Sequence, residues 1–172
     1  MTPFVFDPSA YSSPVAALLA VDRLPELGPG TPLAALQREI AAAAKELPPA
    51  CAAGLWLHFD FLDEAHQICQ QDEGHPGRDF WHAIMHRREP DAVNSKYWWR
   101  RVGPHPVLRL LREHAPAIGY AFTTPEAFVD ECERVRGTGS DAEVIARRVQ
   151  RLEWELMFDQ SHKASRPPSG GG

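Results

Sequence analysis

RDFWHAIMHRREPDAVNSKYWWRRVGPHP, residues 78–106, is the stretch whose reading decides the fold. It reads as a helix over 79–89, a turn at Pro90-Asp91 and a partner helix over 92–102. Pro104 and Pro106 then break the chain, because proline lacks the N–H and crowds the preceding turn. The stretch also gathers most of the chain's polar chemistry. Three of the five tryptophans and three of the eight histidines lie in it, with Arg87, Arg88, Glu89, Asp91, Asn94, Tyr97, Arg100 and Arg101. From Arg78 to Arg112 there are eight Lys or Arg against three Asp or Glu, in a chain whose net charge is −5. A basic, aromatic, histidine-bearing island in an acidic protein points to an anionic ligand.

On the N-terminal side, ACAAGLWLHF and LDEAHQICQQ read as two short antiparallel helices parted by Asp60-Phe61, with QDEGHPG as the linker onward. Before them, Thr31-Pro32 has the form of a helix start, an N-cap hydroxyl followed by proline. An Ala-rich helix is expected from there to Leu47, where Pro48-Pro49 ends it. Residues 1–30 form a proline-rich arm with one short helix near 14–22, pinned by Phe4, Phe6 and Tyr11.

On the C-terminal side, VLRLLREHA is followed by a second Thr-Pro start at Thr124-Pro125, and that helix closes at Gly137. Ser140-Asp141 caps the longest helix, in which Val144, Ile145, Val149, Leu152, Leu156 and Met157 recur at helical spacing. No convincing strand is present. The fold expected is all-α: seven or eight helices in antiparallel hairpins, as a compact bundle or a short stack like tetratricopeptide repeats. Residues 31–160 would form the domain, and 161–172, ending in SRPPSGGG, a disordered tail. Placing Ala65 over Ser95, an offset of 30 residues, aligns the two central hairpins and sets a small residue inside each second helix.

Composition excludes several classes. A mildly negative charge lacks the broad basic face of general nucleic-acid binding. No apolar run approaches the ~20 residues needed to cross a bilayer, and no basic n-region or apolar h-region opens the chain. Cys51, Cys69 and Cys132 are isolated and odd in number, as expected of reduced thiols in a cytoplasm. No phosphate loop, GxSxG elbow or dinucleotide fingerprint occurs, so Asp63-Glu64-Ala65-His66 is not a helicase box.

His82 and His86, at i and i+4, project from one helix face and could share a metal. Ala83 stands where a zinc protease has its glutamate, which excludes that class. Asp63 and His66 have the i, i+3 spacing of helical-bundle metal sites. If the two hairpins pack side by side, Asp63, His66, His82 and His86 make a four-ligand set for a divalent transition metal, or an acid–base group. The blander account makes Asp63 a first-turn helix charge and the histidines packing residues. Asn94, Trp98 and Arg101 form a stripe at i, i+4, i+7 beside Tyr97; with Arg87 they could hold a carboxylate or phosphate against an aromatic plane. Alternatively Trp98 lies in the core and Arg101 on a solvated helix end. No nucleophile is evident: the cysteines lie in apolar contexts, and Cys69, three residues after His66, is the one thiol worth testing.

FWHAIMHRREPDAVNSKYWWRRVGPHP, with LDEAH before it and RLEWELMFD near the end, resembles a family of small uncharacterised proteins from bacteria and fungi, and more distantly tetratricopeptide or Sel1-like hairpins. The resemblance covers about residues 50–160 and implies a neighbourhood without an activity. Two functions follow as expectations. One is a pocket protein, enzyme or not, binding a small anionic molecule with metal assistance. The other is a helical-repeat module that binds an acidic peptide or protein.

Overall fold

The computed structural model describes residues 4–164. Among them the fold is all-α, without strands: α1 (Ser13–Leu19), α2 (Gln37–Ala44), α3 (Pro49–His58), α4 (Leu62–Gln70), α5 (Pro76–Arg88), α6 (Ala92–Val102), α7 (Pro106–His114), α8 (Pro125–Val135) and α9 (Asp141–Ala164). Nine helices slightly exceed the seven or eight expected. Proline in the first turn of α1, α3, α5, α7 and α8 opens each as a separate short helix.

One start signal is not used. The Leu33 N–H donates to the Phe59 carbonyl at 3.1 Å, so Thr31-Pro32 lies outside any α-helix. A single 3-10 turn over Ala34–Leu36 follows, and α2 begins only at Gln37. The second Thr-Pro signal is used: Thr124 Oγ1 accepts from the Ala127 N–H at 3.1 Å. At the C-terminal end α9 continues to Ala164, so Ser161–Ala164 are helix, and the rest of the expected tail lies outside the described residues.

Helices α3 and α4 form one hairpin across residues 59–61, α5 and α6 a second across 89–91, and α4 packs on α5. Two small residues set the spacing. A Cβ on Gly54 of α3 would lie 2.6 Å from Trp81 of α5, and Ser95 of α6 donates its hydroxyl to the Ala83 carbonyl at 2.8 Å. Ala65 and Ser95, equivalent in the 30-residue offset, are both fully buried. The long helix α9 lies against α3, α7 and α8. Trp154 stacks on Phe158 and donates its indole N–H to the Gly54 carbonyl at 2.8 Å.

The N-terminal arm belongs to the body. Phe6 and Tyr11 pack on Phe158, and Phe4 on His114. Residues 23–28 have no regular structure to receive their carbonyls, and buried carbonyls need partners. Side chains from α9, α5 and the residue after α8 supply them: Arg151 to Arg23, Arg147 to Leu24 and Pro25, Gln150 to Glu26, Arg136 to Leu27 and Arg88 to Gly28.

Candidate functional site

Helix α5 is the centre of the molecule, and every residue from Asp79 to Arg88 is buried. Its polar side chains therefore need partners inside the protein. Arg87, expected on the ligand, is instead fully enclosed and grips Glu153 of α9 through two bonds, at 2.5 and 3.1 Å, with its guanidinium over Phe128. Burial works against its charge, and the Glu153 carboxylate more than offsets this, leaving its pKa raised. Arg88 reaches Asp60 at 2.5 Å and the Leu57 carbonyl at 2.7 Å. Asp60 itself sits at φ 68° and also receives Arg23 at 2.6 Å. Much of the basic island is thus neutralised by the chain's own acids: Lys96 pairs with Asp130 and Arg109 with Glu113.

The histidines do converge. His66 of α4 and His82 and His86 of α5 place one ring nitrogen each so that all lie within 4.8 Å of one another. Ring centroids are 4.8 Å apart for His66–His82, 5.3 Å for His66–His86 and 4.8 Å for His82–His86. His82 and His86 are buried and His66 half-buried. Trp98 of α6 lies flat on His82 with centroids 3.8 Å apart. The Nδ1 of His82 is buried without a hydrogen-bond partner among the described residues. Burial, then the neighbouring His86, His66 and Arg101, push the His82 pKa down to about 3. Burial likewise lowers that of His86, against the pull of Glu89. The His86 Nδ1 lies 3.0 Å from a Glu89 carboxylate oxygen, and His66 Nε2 lies 2.9 Å from Gln70 Nε2. Glu89 and Gln70 were not expected at the site, although their i+3 and i+4 spacing from His86 and His66 is visible in the sequence.

Asp63 does not join the histidine cluster. It is exposed on the first turn of α4 and lines an acidic cleft with Glu64, Glu89 and Asp91. It stands one turn before His66, at the exposed start of α4. Asn94 is also drawn off: its backbone N–H and side-chain amide both donate to Asp91, closing the cap of α6. Trp98 and Arg101 remain. The Arg101 guanidinium lies 5.0 Å from the Trp98 ring centre and 5.8 Å from that of Tyr97, with Asp79 3.6 Å away. Tyr97 and Arg101 are both exposed.

Cys69 is buried, and burial raises its pKa to about 12, which favours the protonated thiol. Cys51 is buried with its pKa raised to about 12 and Cys132 to about 11. No helix among the described residues is long and apolar enough to cross a membrane. Fold and site together define an all-helical protein with a histidine cluster enclosed between two helical hairpins. Comparison with protein-family models, with curated proteins and with solved structures finds no match.

Proposed function

We propose that the protein binds a divalent transition-metal ion between α4 and α5 through His66, His82 and His86, and that Arg101 holds a small anion at the ion's open position. The convergence of three imidazoles from two helices carries this reading, with a buried His82 nitrogen that nothing else satisfies. A depressed pKa keeps His82 unprotonated near neutrality, which is the ligating form. Glu89, accepting from His86 Nδ1, leaves Nε2 of that ring with its lone pair free, the usual outer partner of a metal-bound histidine. Three histidines with a vacant fourth position match the ligand count of catalytic zinc sites, and imidazole also suits iron, copper and nickel. Zinc–imidazole bonds of about 2.0–2.1 Å place ligand nitrogens roughly 3.4 Å apart. Ligation therefore requires ring rotations that close the present spread of up to 4.8 Å.

Three neutral ligands leave the ion's charge uncompensated, which favours an anion at the open position. Arg101 is suited to the anion: it is exposed, stacked on Trp98 and only loosely engaged by Asp79. A metal there would polarise a carboxylate or phosphoryl oxygen.

Cobalt(II) titration tests both parts, because the visible bands report the ligands. Saturation at a single ion per chain is expected, lost in His82→Ala and kept in Asp63→Ala. Acetate should shift the bands, and Arg101→Gln should weaken that effect by about tenfold or more, the worth of a hydrogen bond to a charged group. No cobalt spectrum, and no change of melting temperature in zinc, would retire the proposal.

The stacked hairpins, with Ala65 and Ser95 equivalent and Gly54 admitting Trp81, support the tetratricopeptide-like alternative. Against an acidic peptide as partner stands α9. It packs on α3 and offers Glu153 to Arg87 of α5, so a carboxylate of the same chain takes that place.

A further inference from the structure

We infer that residues 23–26 form a strap that lifts from α9 when His58, buried beneath it, takes up a proton, so that acid opens one face of the folded protein. The strap runs between α1 and α2 without regular structure, and among the described residues it makes no backbone–backbone hydrogen bond. Side chains of α9 hold it instead. Arg151 donates to the Arg23 carbonyl at 2.5 Å, Arg147 to those of Leu24 and Pro25, and Gln150 to that of Glu26 at 3.0 Å. Leu24 and Pro25 are half-buried and Glu26 is exposed, whereas Leu27 is fully buried and anchors the far end. Segments fastened this sparsely are the ones that open before a fold unfolds as a whole.

Pro25 of the strap and His58 of α3 line one small cavity, together with Trp154 of α9. It holds about 20 Å³, room for a single water, which needs roughly 10–15 Å³. Its charged lining is Arg88 and Arg151. The charges acting on the His58 ring are all positive: Arg151 of α9, Arg23 of the strap and Arg88 of α5. The carboxylates among these arginines are already engaged. Asp60 is shared by Arg88 at 2.5 Å and Arg23 at 2.6 Å, and Glu155 takes Arg151 at 2.8 Å.

A proton on His58 therefore adds a fourth cation to three, on a ring whose Nε2 has no hydrogen-bond partner among the described residues. Two of the three guanidiniums belong to the strap and its fastening: Arg23 is its first residue, and Arg151 holds the Arg23 carbonyl. Parting these charges and admitting water to the ring both relieve the proton, and both lift the strap. Burial and the arginines hold the pKa of the enclosed ring well below the ordinary value, to which lifting returns it. The closed strap is thus favoured above about pH 6.5 and loses ground as pH falls below that value.

A glutamate-specific protease active both in acid and at neutrality reads the strap directly, by cutting after Glu26. Glu73, in the exposed linker before α5, is the internal control, because the ratio of the two cuts cancels the protease's own pH dependence. In the full chain that ratio should rise about tenfold between about pH 6 and 5, the dependence of a single proton. Near-ultraviolet circular dichroism of the tryptophans should stay unchanged over the same range. His58→Leu should hold the ratio level, and His58→Gln takes its place if the leucine variant fails to fold. Should neither fold, the tenfold rise per pH unit in the unaltered chain remains the criterion. A level ratio in the unaltered chain, an equal rise in the variant, or a rise that comes only with loss of the tryptophan signal would overturn the proposal.

Discussion

His58 shows how a single buried residue couples this fold to pH. Its ring lies 4.5 Å from that of Trp154 and edge-on to Phe59, and its Nε2 has no hydrogen-bond partner among the described residues. Burial, then Arg151, Arg23 and Arg88, hold its pKa well below the ordinary histidine value. The unfolded chain therefore binds a proton that the folded chain refuses. The neutral ring's contribution is fully present above the unfolded value of about 6.5 and is lost as pH falls below it. His82, depressed in the same direction, adds to the loss. Urea unfolding should show stability declining as the medium is acidified. His58→Leu should flatten that decline by about 1.4 kcal/mol per pH unit between about pH 6 and 5. An identical slope in the variant would mean that His58 protonates without resistance.

At the scale of the element, local chemistry predicts helix positions well and one helix start badly. Thr31-Pro32 and Thr124-Pro125 are the same signal, yet only the second caps a helix. The difference is tertiary: Leu33 is taken by the Phe59 carbonyl at the end of α3, which holds residues 31–33 off the helical path. Thr124→Ala should therefore cost about 1 kcal/mol, within the range of roughly 0.5–2 for a lost cap, while Thr31→Ala should cost little. Thermal or chemical denaturation of the two variants side by side checks this, and equal losses would contradict the assignment. Histidine caps on α5 and α7 escape propensity rules because those rules favour Ser, Thr, Asp and Asn.

For the whole molecule, the Arg87–Glu153 pair joins the central helix to the last one, and both side chains are fully buried. Removing one partner strands a charge in the core, at about 3–5 kcal/mol, a large share of a domain's stability of about 5–15 kcal/mol. Glu153→Gln should reduce the urea midpoint accordingly, and Arg87→Met with Glu153→Leu should recover much of the loss. A double variant no more stable than the single would show that the pair contributes more than its mutual neutralisation.

By itself the sequence determined that the chain is helical, where the two central hairpins turn, and that His66, His82 and His86 were the histidines to watch. Those are local matters: proline positions, capping residues and 3.6-residue spacing act within a few residues of themselves. Only the tertiary structure decided that α5 is buried all round from Asp79 to Arg88. That enclosure turned Arg87 from an expected ligand group into the core partner of Glu153, 66 residues away, and left Arg101 beside the histidines. It also decided that Asp63 stays outside the histidine cluster, and that His75 and His105 share one cleft. Charge pairing across such separations depends on which helix faces meet. Spacing along a chain carries no record of that.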